Sequence, residues 1–408
     1  MTETTMARYA EVLISAVNLQ EGQCLSVACD PVQWEFVSIL GRAAYRRGAR
    51  YVQVEADHDA LYRARVDESR EEYLSYVPEA RATVVRHYVD DGWARIVIAG
   101  KEDPDALSTL DARRNGIARR ALSKTNEPLR RAAQTDRIRW TIAAFPTPGW
   151  AAKIFGTQPT EEAQDRLWAV MEPILRLDQP DPIAAWLAHA EAIGERERAL
   201  CDLELDSVRF EGPGTDLTIG LPKGALWVGG GSTGPDGFFF LPNLPTEEVF
   251  TAPDFRRTHG EVTLTRPALI LGRLVDNAWF RFDEGRVVEC RAETGQDTLE
   301  KFFEVDEQSR FLGEVALVDG SSPIYQSGLV FHNTLFDENA ACHIAFGSAY
   351  PGCIPGGEGM DDESFKAAGG NRSLQHADVM IGGPKVTVFG IQADGGVATV
   401  MENGSWKL

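Results

Sequence analysis

The stretch Arg95-Ile96-Val97-Ile98-Ala99, a long helical region from Pro104 toward Ala133, and then Arg139-Trp140-Thr141-Ile142-Ala143-Ala144 decide the fold of the first half. Two short apolar runs are separated by enough chain for several helical turns. A hairpin needs only a short turn, whereas parallel neighbours need a crossover of this length. The same alternation holds upstream. Gln23-Cys24-Leu25-Ser26-Val27-Ala28 reads as a buried strand, and Pro31 to Arg47 as an amphipathic helix ended by Gly48. Arg50 to Val54 is another strand. Glu71 to His87 reads as mostly helical, with Pro78 breaking or kinking it near Val77. Strands alternating with helices imply βαβ units and a mostly parallel sheet. Helices over Thr160–Leu175 and Asp181–Leu203 lead out of this region.

After about residue 205 helical periodicity gives way to short alternating strands. Asp283-Glu284-Gly285, Asp394-Gly395-Gly396 and Asn403-Gly404 are hairpin-turn sequences. Gly229-Gly230-Gly231, Gly356-Gly357 and Gly369-Gly370 mark loops, and one helix interrupts from Thr298 to Phe303. The expected fold class is α/β plus α+β. An N-terminal α/β domain, 1–204, precedes a β-rich C-terminal domain, 205–408. The 408 residues suit two domains. The net charge of −20 argues against nucleic acid or anionic lipid as a partner, since each phosphate contact needs a cation. The start lacks a signal layout, and no run reaches the length of a membrane span. Six scattered cysteines form no CxxC pair, so reduced thiols in a cytoplasm are expected. Cys342 beside His343 suggests a thiol nucleophile only superficially, because chain neighbours seldom face each other. The Gly229 run lacks a P-loop's Lys-Ser/Thr and reads as a turn.

Four segments carry chemistry. In His376-Ala377-Asp378-Val379-Met380-Ile381-Gly382, read as a strand, His376 and Asp378 share one face while Val379 and Ile381 pack on the other. That pair could meet one cation or simply hydrogen-bond at a surface. Leu312-Gly313-Glu314-Val315-Ala316-Leu317-Val318 embeds one carboxylate in an apolar run. Such a group needs a partner or a metal, unless the strand is an edge with Glu314 in solvent. Asn333 to Tyr350 sets Asp337, Glu338 and His343 among small and apolar residues, as a hydrogen-bonded polar cluster or as ligands. The Glu338–His343 spacing excludes an HExxH helix. Asn243-Leu244-Pro245-Thr246-Glu247-Glu248-Val249-Phe250-Thr251 adds two carboxylates after a proline turn, which alone would suit a solvated loop.

Taken together, NLPTEEVFTAP (243–253), LGEVALV (312–318), NTLFDENAACHIAFGSAY (333–350) and HADVMIG (376–382) resemble the signature segments of the M29 family of metallo-aminopeptidases. NLQEGQ (18–23) and PTPGWA (146–151) extend the likeness over nearly the whole chain. The resemblance implies metal ligands at Glu248, Glu314, Glu338, His343, His376 and Asp378, and an active-site tyrosine at Tyr350. Glu248 rather than Glu247 matches, since the motif centres on the Glu before Val-Phe-Thr. Val379 departs from the aromatic residue usual in relatives, which bears on packing behind the ligand strand. Four carboxylates and two imidazoles exceed one open tetrahedral zinc site and suit two divalent ions sharing a carboxylate. Without thiolates the set accepts Zn²⁺, Co²⁺ or Mn²⁺. The resemblance further implies peptide substrates with a free N-terminus, Glu314 as proton shuttle, Tyr350 as oxyanion donor, and a homodimer. Two other readings compete. One is a mononuclear non-haem iron dioxygenase using His343, His376 and Asp378; the other is a catalytically idle binding protein.

Overall fold

The computed structural model describes residues 1–56 and 58–408, in two compact units: 1–187 with 231–245, and 188–230 with 246–408. The first dividing point falls within the helix Pro182–Asp202, and a short segment beyond residue 205 returns to the first unit.

The first unit holds a five-stranded, all-parallel sheet. Its order is Asn243–Leu244, Trp140–Ala144, Ala94–Ala99, Cys24–Cys29, Tyr51–Ala56. The expected α/β fold is therefore present. Between Glu71 and His87 the expected break at Pro78 is present. It is a break and not a kink: a 3-10 turn at Glu71–Tyr73 is separated from a helix at Glu79–Asp90, which Pro78 precedes. The proline ring disfavours the α conformation at the residue before it, which keeps a helical run from passing through Val77 and lets a new helix start beyond the proline. Ligands of such open sheets usually bind at the carboxyl ends of the strands, where strand order reverses. Here the Gln33 amide nitrogen donates to the carbonyls of Ala99, Gly100 and Phe145 at 2.8, 2.9 and 3.1 Å, tying those ends together with protein.

The second unit is built on two antiparallel sheets. One has eight strands, in the order Arg286–Arg291, Trp279–Asp283, Thr258–Thr263, Thr215–Gly220, Leu205–Gly212, Thr387–Gln392, Val397–Glu402, Ser405–Trp406. All three expected hairpin turns join neighbouring strands of this sheet. Glu284, Gly285, Asn403 and Gly404 take positive φ, as the tight turns at these places require. The other sheet has five strands, in the order His376–Met380, His343–Gly347, Leu312–Val318, Glu248–Thr251, Val228–Gly229. A single apolar core includes Val208, Phe210, Leu217, Phe280 and Val388 from the first sheet and Val249, Val315, Leu317, Ile344, Phe346 and Val379 from the second, with Ile381 just beyond the strand His376–Met380. Phe346 lies at its centre, 4.9 Å from Phe280 and 5.3 Å from Phe303 between ring centroids.

Candidate metal centre

Side chains alternate across a sheet, so burying one face in that core commits the other face of the five-stranded sheet to something else. The register shows what it carries. Phe250, Ala316, His343 and Met380 lie in one cross-strand row, and Glu314, Ala345 and Asp378 in the next. His376 pairs with Gly347, and Glu248 lies two residues from Phe250 on its strand. Every polar residue on this face is acidic or a histidine, and Ala316, Ala345 and Gly347 between them leave room above the sheet.

An irregularity in one strand makes this possible. Leu312 pairs with Phe346, yet Glu314 pairs with Ala345, so Gly313 is an extra residue. In an unbroken register Gly313 would oppose Ala345, and Glu314 would point into the core. The bulge turns Glu314 outward while Leu312 and Val315 both remain in the core. Only glycine fits here: a Cβ at residue 313 would lie 2.4 Å from the Gly347 carbonyl oxygen and 2.5 Å from that of Ser348.

Five of the six residues expected as ligands come together in two groups of three. One is Glu248, Glu314 and His343; the other is Glu314, His376 and Asp378. Within each group the donor atoms lie within 4.8 Å of one another. Glu314 belongs to both, with Oε1 3.4 Å from His343 Nε2 and Oε2 3.6 Å from His376 Nε2. Glu248 Oε2 and Asp378 Oδ1 lie 3.3 Å from the same two nitrogens, respectively. Each imidazole is aimed through its far nitrogen. His343 Nδ1 is 3.1 Å from the Ala341 carbonyl, and His376 Nδ1 2.8 Å from that of Ser348. A ring that donates from Nδ1 to a carbonyl offers a lone pair at Nε2, the arrangement seen in metal-binding histidines. Glu338 belongs to neither group, but it feels the charges of Glu248, Asp378 and Glu314. Tyr350 sits at the edge, 40% exposed, its ring 5.5 Å from that of His376 and 5.6 Å from that of Phe250.

The electrostatics express a shortage of positive charge. Burial, with Glu314 and Asp378 nearby, pushes the Glu248 carboxyl up to about 7, against the pull of His343. Burial and the charges of Glu248, Asp378 and Glu314 drive Glu338 well above the usual carboxylate range. Burial alone would lower both histidines. The bond to Glu314 and the surrounding carboxylates instead raise His343 to about 9, and Asp378 leads in raising His376 to about 10. Asp378 is held below its ordinary value by His376, despite its burial. Loss of water around its hydroxyl, with Glu314 and Asp378 nearby, raises the Tyr350 phenol as well, although the residue as a whole is partly exposed. Glu248 Oε2 is buried without a hydrogen-bond partner. Protons or cations must balance these acids, and a donor set of carboxylates and Nε2 lone pairs fits divalent metal ions.

The other motifs remain structural. Cys342 is buried in the core, and burial pushes its thiol up to about 12, the reverse of an activated nucleophile. Sequence reasoning passed over Asn339, His189 and the Gly313 bulge. The buried asparagine within the dense 333–350 stretch was the only local signal of the three.

The family model described as "Thermophilic metalloprotease (M29)" matches residues 2–406. Aminopeptidase T of Thermus aquaticus is 41% identical, with 98% of each chain covered. Aminopeptidase PepS of Streptococcus thermophilus is 36% identical, covering 99% of this chain and 98% of its own. The structure titled wild-type AmpT from Thermus thermophilus superposes with a TM-score of 0.92 at 39% identity, over 100% of both chains. None of these supports the dioxygenase alternative, and the geometry divides its three residues: His343 and His376 fall in different donor groups. The chain belongs to the M29 family of metallopeptidases.

Proposed function

We infer that this protein is a metal-dependent aminopeptidase that removes the N-terminal residue of peptides, with two divalent ions held by Glu248, Glu314, His343, His376 and Asp378. Glu338 is the flanking sixth donor. The observation that carries this reading is Glu314, whose two carboxylate oxygens face the two histidines and so join the donor groups. Such ions, when bound, acidify water toward neutral pH and polarise a carbonyl. The chain's own groups do the rest. Glu314 carries a proton to the leaving amine in this reading. The Tyr350 hydroxyl, kept protonated by its surroundings, donates to the oxyanion of the tetrahedral intermediate. The acidic face holds the substrate's α-ammonium, which confines cleavage to the free end.

Zn²⁺, Co²⁺ and Mn²⁺ all suit the carboxylate–imidazole set. A cytoplasmic setting is proposed from the six scattered cysteines, which form no CxxC pair. Among the described residues no helix is long and apolar enough to cross a membrane. A homodimer is proposed on the family likeness. The test uses one peptide with a free and with an acetylated N-terminus, before and after exhaustive chelation. The free peptide should lose its N-terminal residue, chelation should stop this, and one of the three ions should restore it. Comparable cleavage of the acetylated peptide, or full activity with no metal left, would refute the reading.

A further inference from the structure

Immediately after Glu338 stands an amide that takes no part in the donor groups. Asn339 is wholly buried, 0% exposed. Its Oδ1 accepts the Glu247 N–H at 2.7 Å. Its Nδ2 donates to the Leu335 carbonyl at 2.9 Å and lies 3.5 Å from Glu338 Oε1. Its own carbonyl accepts from Ser322 Oγ at 2.7 Å. One side chain thus bolts the turn carrying Glu338 to the residue preceding Glu248, a contact between segments 92 positions apart.

Glu247 is held on its other side too. His189 Nε2 lies 3.2 Å from Glu247 Oε2 and 3.0 Å from the Thr246 carbonyl. The chain entering the strand Glu248–Thr251 is therefore pinned through backbone and side chain one residue before the donor. A glutamate has three side-chain torsions, so its carboxylate can be aimed only if its backbone does not drift. We propose that Asn339 is a positioning residue for the metal centre, fixing Glu248 and Glu338 relative to each other. This rests on the metal reading above. A purely architectural asparagine would cost stability when lost and nothing else.

The experiment compares the full-length protein with Asn339→Ala. Zn²⁺ affinity is measured by competition with a colorimetric chelator, the Co²⁺ absorption spectrum is recorded, and melting is followed without added ion. Loss of such supporting contacts typically weakens metal binding about 10–100-fold, so Asn339→Ala should bind Zn²⁺ at least ~10-fold more weakly and shift the Co²⁺ bands. Val400→Ala, a core change outside the donor groups, should lower melting but leave Zn²⁺ affinity unaltered. If Asn339→Ala does not fold, Ser322→Ala replaces it. That variant removes the bond to the Asn339 carbonyl, together with the helix-capping bond from the Ile324 N–H at 3.3 Å, and should weaken binding less, in the same direction. Unchanged Zn²⁺ affinity and Co²⁺ spectrum, in a variant that melts early as Val400→Ala does, would overturn the proposal. An unaltered protein that binds neither ion overturns the metal reading first, a distinct result.

Discussion

Glu314 and Tyr350 are asked for different things, and substitution separates them. Glu314 serves both donor groups, so Glu314→Gln removes a charge from each at once. Metal content and turnover should fall together, read by elemental analysis and rate on the same preparation. Retention of two ions per chain would show that Glu314 is not shared. Tyr350 belongs to neither group. Tyr350→Phe should keep its full metal complement. Loss of one oxyanion donor typically costs ~10²–10³ in turnover, so kcat should drop by that factor while KM stays nearly constant. Near-normal kcat in a fully loaded Tyr350→Phe would confine the tyrosine to packing against Phe250 and His376.

Within one strand, neighbours in sequence have opposite duties. Asp378 faces the donor groups and Val379 the core, where it is 0% exposed. Val379→Ala should cost on the order of 2 kcal/mol of stability, from lost burial and a small cavity, and leave metal binding intact. Asp378→Asn should do the reverse, keeping the fold and weakening the metal. Equal metal loss in both would mean the two faces are not independent. This alternation was legible in the sequence, because period two is visible in any strand, as in His376-Ala377-Asp378-Val379. So were the parallel sheet and the hairpin turns, whose signals are local. The bulge at Gly313 was not, since a register shift exists only between paired strands. An unbroken alternation from Leu312 would have put Glu314 on the core face. Gly313→Ala tests that device: a methyl driven against two carbonyl oxygens should lower both melting temperature and metal content. Unchanged values would show that the strand can yield without losing its aim.

On the scale of the whole molecule, the five grouped donors all belong to residues 188–230 and 246–408 and come from four strands of one sheet. Two histidines do not by themselves balance these acids, so on the proposed reading ion binding and the stability of that sheet are linked. An ion that binds only the folded state stabilises it by about 2.7 kcal/mol at a hundred times its dissociation constant. The effect should be local. The parallel sheet of the first unit has no donor in either group, and Gln33 donates to the carbonyls at the ends of two of its strands. Hydrogen exchange, followed by mass spectrometry with and without chelator, reads this directly. Peptides covering Glu248–Thr251, Leu312–Val318, His343–Gly347 and His376–Met380 should exchange faster once the ions are removed, because opening those strands no longer costs bound metal. Peptides covering Cys24–Cys29 and Ala94–Ala99 should keep their rates. Removal of all metal with no change in the four donor strands would break the link between ions and fold. Equal loosening of both sheets would mean that the ions stabilise the molecule globally, and not through the face on which Glu314 is turned outward.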